Sequence, residues 1–60
     1  MSDKEYHLWC RKICTYYKWK LYGSDVNSGF TFSDNNKLLD VPHIVAVVLA
    51  EKAGIENVLQ

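Results

Sequence analysis

The sequence predicts a small α+β domain of order α-β-β-α, a hairpin packed on two helices. Three observations carry that expectation. The chain opens on Ser2-Asp3-Lys4-Glu5, a capping box ahead of apolar residues at helical spacing. Two short alternating runs, residues 17–22 and 29–33, flank a stretch dense in turn formers. An apolar run at residues 44–50 lies between a helix start and a glycine stop. With 60 residues there is room for one domain, 1–60.

On a wheel of about 100° per residue, Tyr6, Trp9, Cys10, Ile13 and Tyr17 fall on one side, which predicts an amphipathic helix from residue 3 to at least residue 15. Tyr17-Lys18-Trp19-Lys20-Leu21-Tyr22 then alternates apolar and basic, the mark of a half-buried strand. The alternative, a mostly α protein, continues the first helix unbroken to residue 22. Gly23-Ser24-Asp25-Val26-Asn27-Ser28-Gly29 forms the turn, and Phe30-Thr31-Phe32-Ser33 returns as the second strand. Asp34-Asn35-Asn36 is a turn, and Lys37-Leu38-Leu39 is one helical turn or a lead-in. Asp40-Val41-Pro42 reads as a helix start, with Asp capping and Pro in the first turn. The run from Ile44 to Ala50 suits a buried strand equally well, and its flanks decide for a helix over 41–53. Residues 55–59 form a short final helix or strand. No internal repeat, low-complexity tract or linker is present.

A helix apolar on every side has to be covered on every side. One hairpin and one other helix cover about two of its faces, leaving a patch of the kind that marks an interface. A chain this short buries only about 60% of its unfolded surface, so a second copy or a partner is expected to supply the rest.

Lys plus Arg total 7 and Asp plus Glu total 7, which argues against a polyanion mimic and against a generally basic nucleic-acid coat. Apolar residues at 48% are too many for a disordered chain. No apolar run approaches the roughly 20 residues of a membrane span, and the charged start is not a signal peptide. Two Cys make no disulfide scaffold, so a soluble cytoplasmic protein is expected. Charge is nonetheless polarised: residues 1–22 carry a net +3 and residues 23–60 a net −3. The basic part interleaves Arg11, Lys12, Lys18 and Lys20 with Trp9, Tyr16, Tyr17, Trp19 and Tyr22, cations and aromatics of the kind single-stranded nucleic-acid binders use. The plainer reading makes the lysines a wet face and the aromatics a core.

His7, Cys10 and Cys14 share a helical face, and with His43 they have the composition of a Cys₂His₂ zinc site. Their spacing is that of no finger or ribbon, and two small buried thiols beside a solvated His is the ordinary alternative. No metal or cofactor is expected. Catalysis is not expected either: a cysteine nucleophile needs a base and a pocket that a domain of this size rarely encloses. Ser28-Gly29-Phe30-Thr31-Phe32-Ser33-Asp34 resembles the first hypervariable-loop region of antibody heavy chains. The resemblance spans only that segment, and the chain lacks the long sandwich with its widely spaced Cys pair.

The expected function is therefore a small protein-binding regulatory or inhibitory module, a size class that includes phage-encoded inhibitors. It acts by occluding or bridging a partner protein, as a homodimer and away from membranes. The expected contacts are Trp9, Arg11, Tyr16, Lys18, Trp19 and Tyr22, since Trp, Tyr and Arg dominate interface energetics. The alternative is a single-stranded nucleic-acid binder using the basic-aromatic segment 9–22.

Overall fold

Ser2 caps helix α1 (Asp3–Tyr17), as its place before the first apolar residues predicts. Its Oγ accepts the Glu5 amide at 3.2 Å, and its hydroxyl donates to the Glu5 carboxylate at 3.3 Å. The computed structural model describes residues 2–58. Tyr6, Trp9, Cys10, Ile13 and Cys14 are buried and Tyr17 is half-buried, so the expected face of α1 is the inward one.

Lys18 ends the helix in the left-handed conformation, φ 64° and ψ 37°. Its amide bonds to the Thr15 carbonyl at 3.2 Å and the Trp19 amide to that of Cys14 at 2.8 Å, the paired bonds of a Schellman closure. This turn corrects two expectations. The helix runs on to Tyr17 where a strand was expected to begin, and it does not continue to residue 22, which removes the mostly α alternative. Glycine reaches such a φ freely, whereas a side chain costs about 1 kcal/mol there. Lys18→Gly is expected to stabilise the fold by about 1 kcal/mol, seen as a higher urea midpoint. An unchanged or lower midpoint would contradict a left-handed closure.

Strand β1 (Lys20–Asp25) pairs antiparallel with β2 (Gly29–Asp34), Leu21 opposite Phe32 and Ser24 opposite Phe30. Leu21 and Gly23 face the consecutive residues Phe32 and Thr31, so Tyr22 is the extra residue of a bulge. Asp25 builds the turn: its Oδ1 accepts the Asn27 amide at 2.8 Å and its carbonyl accepts the Ser28 amide at 3.0 Å.

The stretch after Asp34 departs from expectation. Asn35 and Asn36 both take positive φ, 52° and 67°, which a two-residue hairpin turn matched to strand twist requires. The chain returns as a third strand, β3 (Lys37–Pro42), with Phe30 opposite Val41 and Phe32 opposite Leu39. Asp40 is therefore not a helix cap: it sits in the ladder, where its Oδ1 accepts the Thr31 hydroxyl at 2.7 Å. The order is α-β-β-β-α, with sheet order β1-β2-β3. Helix α2 (His43–Lys52) starts two residues later than expected, with Pro42 in the cap position and no side-chain cap bond. It ends at Lys52, one residue before the expected 53, with Gly54 as the expected stop. Gly54 has φ 73°, and the Gly54 and Ile55 amides bond to the Glu51 and Ala50 carbonyls at 3.1 and 2.8 Å. Residues 55–58 form neither helix nor strand; Leu59, the last residue of that expected element, lies outside the described residues.

Phe30, Phe32 and Val41 lie on one face of the sheet and join Tyr6, Trp9, Cys10, Ile13, Cys14, Ala46 and Ala50 in a single core. Tyr6 Oη and His43 Nδ1 hydrogen-bond at 2.9 Å near the helix starts, and the Tyr17 hydroxyl donates to the Leu49 carbonyl at 2.9 Å near their ends. The two helices thus lie side by side, in the same direction, over that face. Thr31, Ser33, Leu38 and Asp40 belong to the opposite face, which neither helix covers.

Candidate partner-binding surfaces

Helix α2 is turned the opposite way from an ordinary surface helix. Ala46 and Ala50, one turn apart, face inward with no exposed surface, and Val47 and Leu49 flank them, partly buried. The bulkier Ile44, Val45 and Val48 face out, and Ile44 is 76% exposed. Small inward residues let α2 lie close against the sheet and α1, and the larger apolar groups are left in water. The sequence showed an apolar run needing cover on all sides; the fold covers the alanine side.

The six expected contact residues do not form one patch. Trp9 is 5% exposed and its Nε1 donates to the Glu56 carbonyl at 2.8 Å, so it holds the segment after α2 onto α1. Trp19 is stacked on Phe32, ring centroids 3.9 Å apart, and on Tyr17 at 4.8 Å. Both are parts of the core and its margin, and neither offers a partner a free face. Lys18 is exposed at the end of α1. Tyr22 is 71% exposed but stands on the uncovered sheet face beside Lys20, Ser33 and Leu38. Arg11 and Tyr16 do come together, with Leu8, Lys12, Thr15 and Ile55, around an open groove of about 660 Å³. Of the aromatics in segment 9–22, Tyr16 and Tyr22 remain open to solvent, on different parts of the molecule, so the stacking platform expected of a nucleic-acid binder is not assembled.

The His and Cys residues have other partners. His7 Nδ1 bonds to Ser24 Oγ at 2.8 Å, and His43 bonds to Tyr6. Cys10 and Cys14 are free thiols buried in the core. Burial pushes the Cys10 thiol up to about 12, with the neighbouring Cys14 adding to the shift, and pushes Cys14 up to about 11. Both stay protonated at neutral pH, the form that neither attacks nor binds metal. Among the described residues no group of three or more His, Cys, Asp or Glu is placed to hold a metal ion.

The outward set on α2 and the groove on α1 were the features that sequence reasoning did not resolve. The only signal for the first was the alanine spacing at 46 and 50. For the second it was the i, i+4, i+8 series Leu8, Lys12, Tyr16. Among the described residues no helix is long and apolar enough to cross a membrane. No protein-family model, curated protein or solved structure matches the chain significantly.

Proposed function

We propose that the chain is a small protein-binding module in which two copies pair through the outward face of α2, and that the pair regulates or inhibits a target protein by occluding or bridging it. The observation that supports this reading is the orientation of α2, with Ile44, Val45 and Val48 outside and the two alanines within. Burying those side chains against a second copy removes apolar surface from water, the largest favourable term in association.

The test is the double variant Ile44→Ser, Val48→Ser. Both positions are exposed, so the fold is expected to lose no more than about 1 kcal/mol. Light scattering is expected to give the two-chain mass for the wild type and the one-chain mass for the variant. A wild type that stays single-chain at every concentration, or a variant that still pairs, would overturn the reading. Pairing, and capture of a target from extracts of the source organism, are expected to persist between about 50 and 200 mM salt, where phosphate binding weakens steeply.

A further inference from the structure

We infer that the groove on the outer side of α1 is the target site, and that it takes an acidic, apolar-anchored segment of the partner protein. This rests on the protein-binding reading above and adds to it the chemistry of the target. Leu8, Arg11, Lys12, Thr15 and Tyr16 recur at three- and four-residue spacing, which sets them in one stripe of α1. Ile55 closes the groove from the side, brought there by the Gly54 turn and held by the Trp9 bond to the Glu56 carbonyl.

The lining has two parts. Leu8 and Tyr16 are 47% and 58% exposed and, with the half-buried Ile55, offer an apolar floor. Arg11 and Lys12 are exposed at its rim, and neither has an ion-pair partner among the described residues. An amphipathic segment fits such a lining when its apolar side chains displace water from the floor and its carboxylates meet the two cations. The guanidinium of Arg11 suits a carboxylate in particular, because its fork donates two parallel hydrogen bonds. Glu5 and Glu56 line the adjoining hollow beyond Lys12, so the acidic side of the ligand is directed towards Arg11 and Tyr16. A basic segment meets repulsion at the rim, and a nucleic acid finds a single aromatic ring. Two paired copies carry two such grooves, which is what bridging a target requires.

The test is fluorescence anisotropy with a labelled helical peptide bearing leucines at i and i+4 and glutamates beside them. Controls are a peptide with Lys for Glu, a peptide with Ser for Leu, and an oligothymidylate. The Glu/Leu peptide is expected to saturate with a dissociation constant of about 10–100 μM, and each control to bind at least about tenfold more weakly. Arg11→Glu with Lys12→Glu is expected to weaken the Glu/Leu peptide at least about tenfold and to reverse the preference towards the Lys peptide, with an unchanged thermal melt. Tyr16→Ala is expected to weaken it without altering charge. No saturation below about 1 mM, equal affinity for the Lys peptide, or tighter binding of the oligothymidylate would overturn the inference. The two readings fail separately. If Ile44→Ser, Val48→Ser dissociates the pair while Arg11→Glu, Lys12→Glu captures the target like wild type, the pairing stands and the groove assignment falls. If the Glu/Leu peptide binds to a chain that never pairs, the reverse holds.

Discussion

Gly29→Ala is expected to abolish folding. Gly29 is buried at the start of β2, opposite Pro42, with φ 111°. A Cβ there would collide with the Val41 carbonyl oxygen and lie 2.8 Å from both the His43 nitrogen and the Pro42 carbonyl carbon. All three are backbone atoms of the junction between β3 and α2, so no flexible side chain can give way. A chain of this length holds about 3–9 kcal/mol of stability in total, and a left-handed conformation alone takes about 1–2 kcal/mol from a residue with a side chain. Displacing the junction adds to that by moving α2 off the core. Gly23→Ala is the matched control, since a Cβ at that position meets nothing within 4 Å, and it is expected to change stability by less than about 1 kcal/mol. Circular dichroism and amide dispersion check both variants. A Gly29→Ala protein with a wild-type melt would show that the junction does not cross over this residue.

The second large effect is alkaline unfolding. Cys10, Cys14 and Tyr6 are buried, and burial is the leading reason that each holds its proton more tightly than usual. Below pH 9 folded and unfolded thiols are both protonated, and the contribution to stability is complete. Above an ordinary thiol value of 9.0 the unfolded chain releases protons that the fold retains, until the folded values of about 11 for Cys14 and about 12 for Cys10 are reached. Tyr6, raised from 10.0 to about 12, adds to the loss from pH 10 upward. Each such group removes up to about 1.4 kcal/mol per pH unit in its window. The urea midpoint is therefore expected to hold level from neutrality to about pH 9 and to fall steeply by pH 11. A level midpoint up to pH 11 would place these groups in contact with water.

The parts of the fold legible in the sequence are those whose signals are local. Ser2 and Glu5 mark the start of α1, the spacing of Tyr6, Trp9, Cys10 and Ile13 marks its buried face, and Gly54 marks the end of α2. β3 was hidden because Leu38 and Leu39 lie on opposite faces of the sheet and are both largely exposed, so no alternation is visible. Asp40-Val41-Pro42 also imitates a helix start, and only the strand opposite, through Thr31, shows the other use of Asp40. The pair Asn35-Asn36 was a usable signal, since Asn tolerates the positive φ that both residues adopt. The surfaces were harder to read. Trp9 and Trp19 have the residue type of contacts, yet a hydrogen bond to Glu56 and stacking on Phe32 assign them to the interior and its edge. In α2 nearly every residue is apolar, so hydrophobicity does not identify the inward side and only the smaller size of Ala46 and Ala50, one turn apart, marks it; packing against the sheet selects the alanines.

The pairing of α2 faces is most directly tested by site-specific cross-linking. The native thiols, with 0% and 2% exposure, are shielded from reagents in the folded chain, so a cysteine introduced by Val48→Cys is the reactive one. Treated with a short bismaleimide at micromolar concentration, Val48→Cys is expected to give a two-chain band on a denaturing gel, while Lys12→Cys on α1 remains single-chain. A Val48→Cys protein that stays single-chain, or cross-linking of equal yield from position 12, would contradict it.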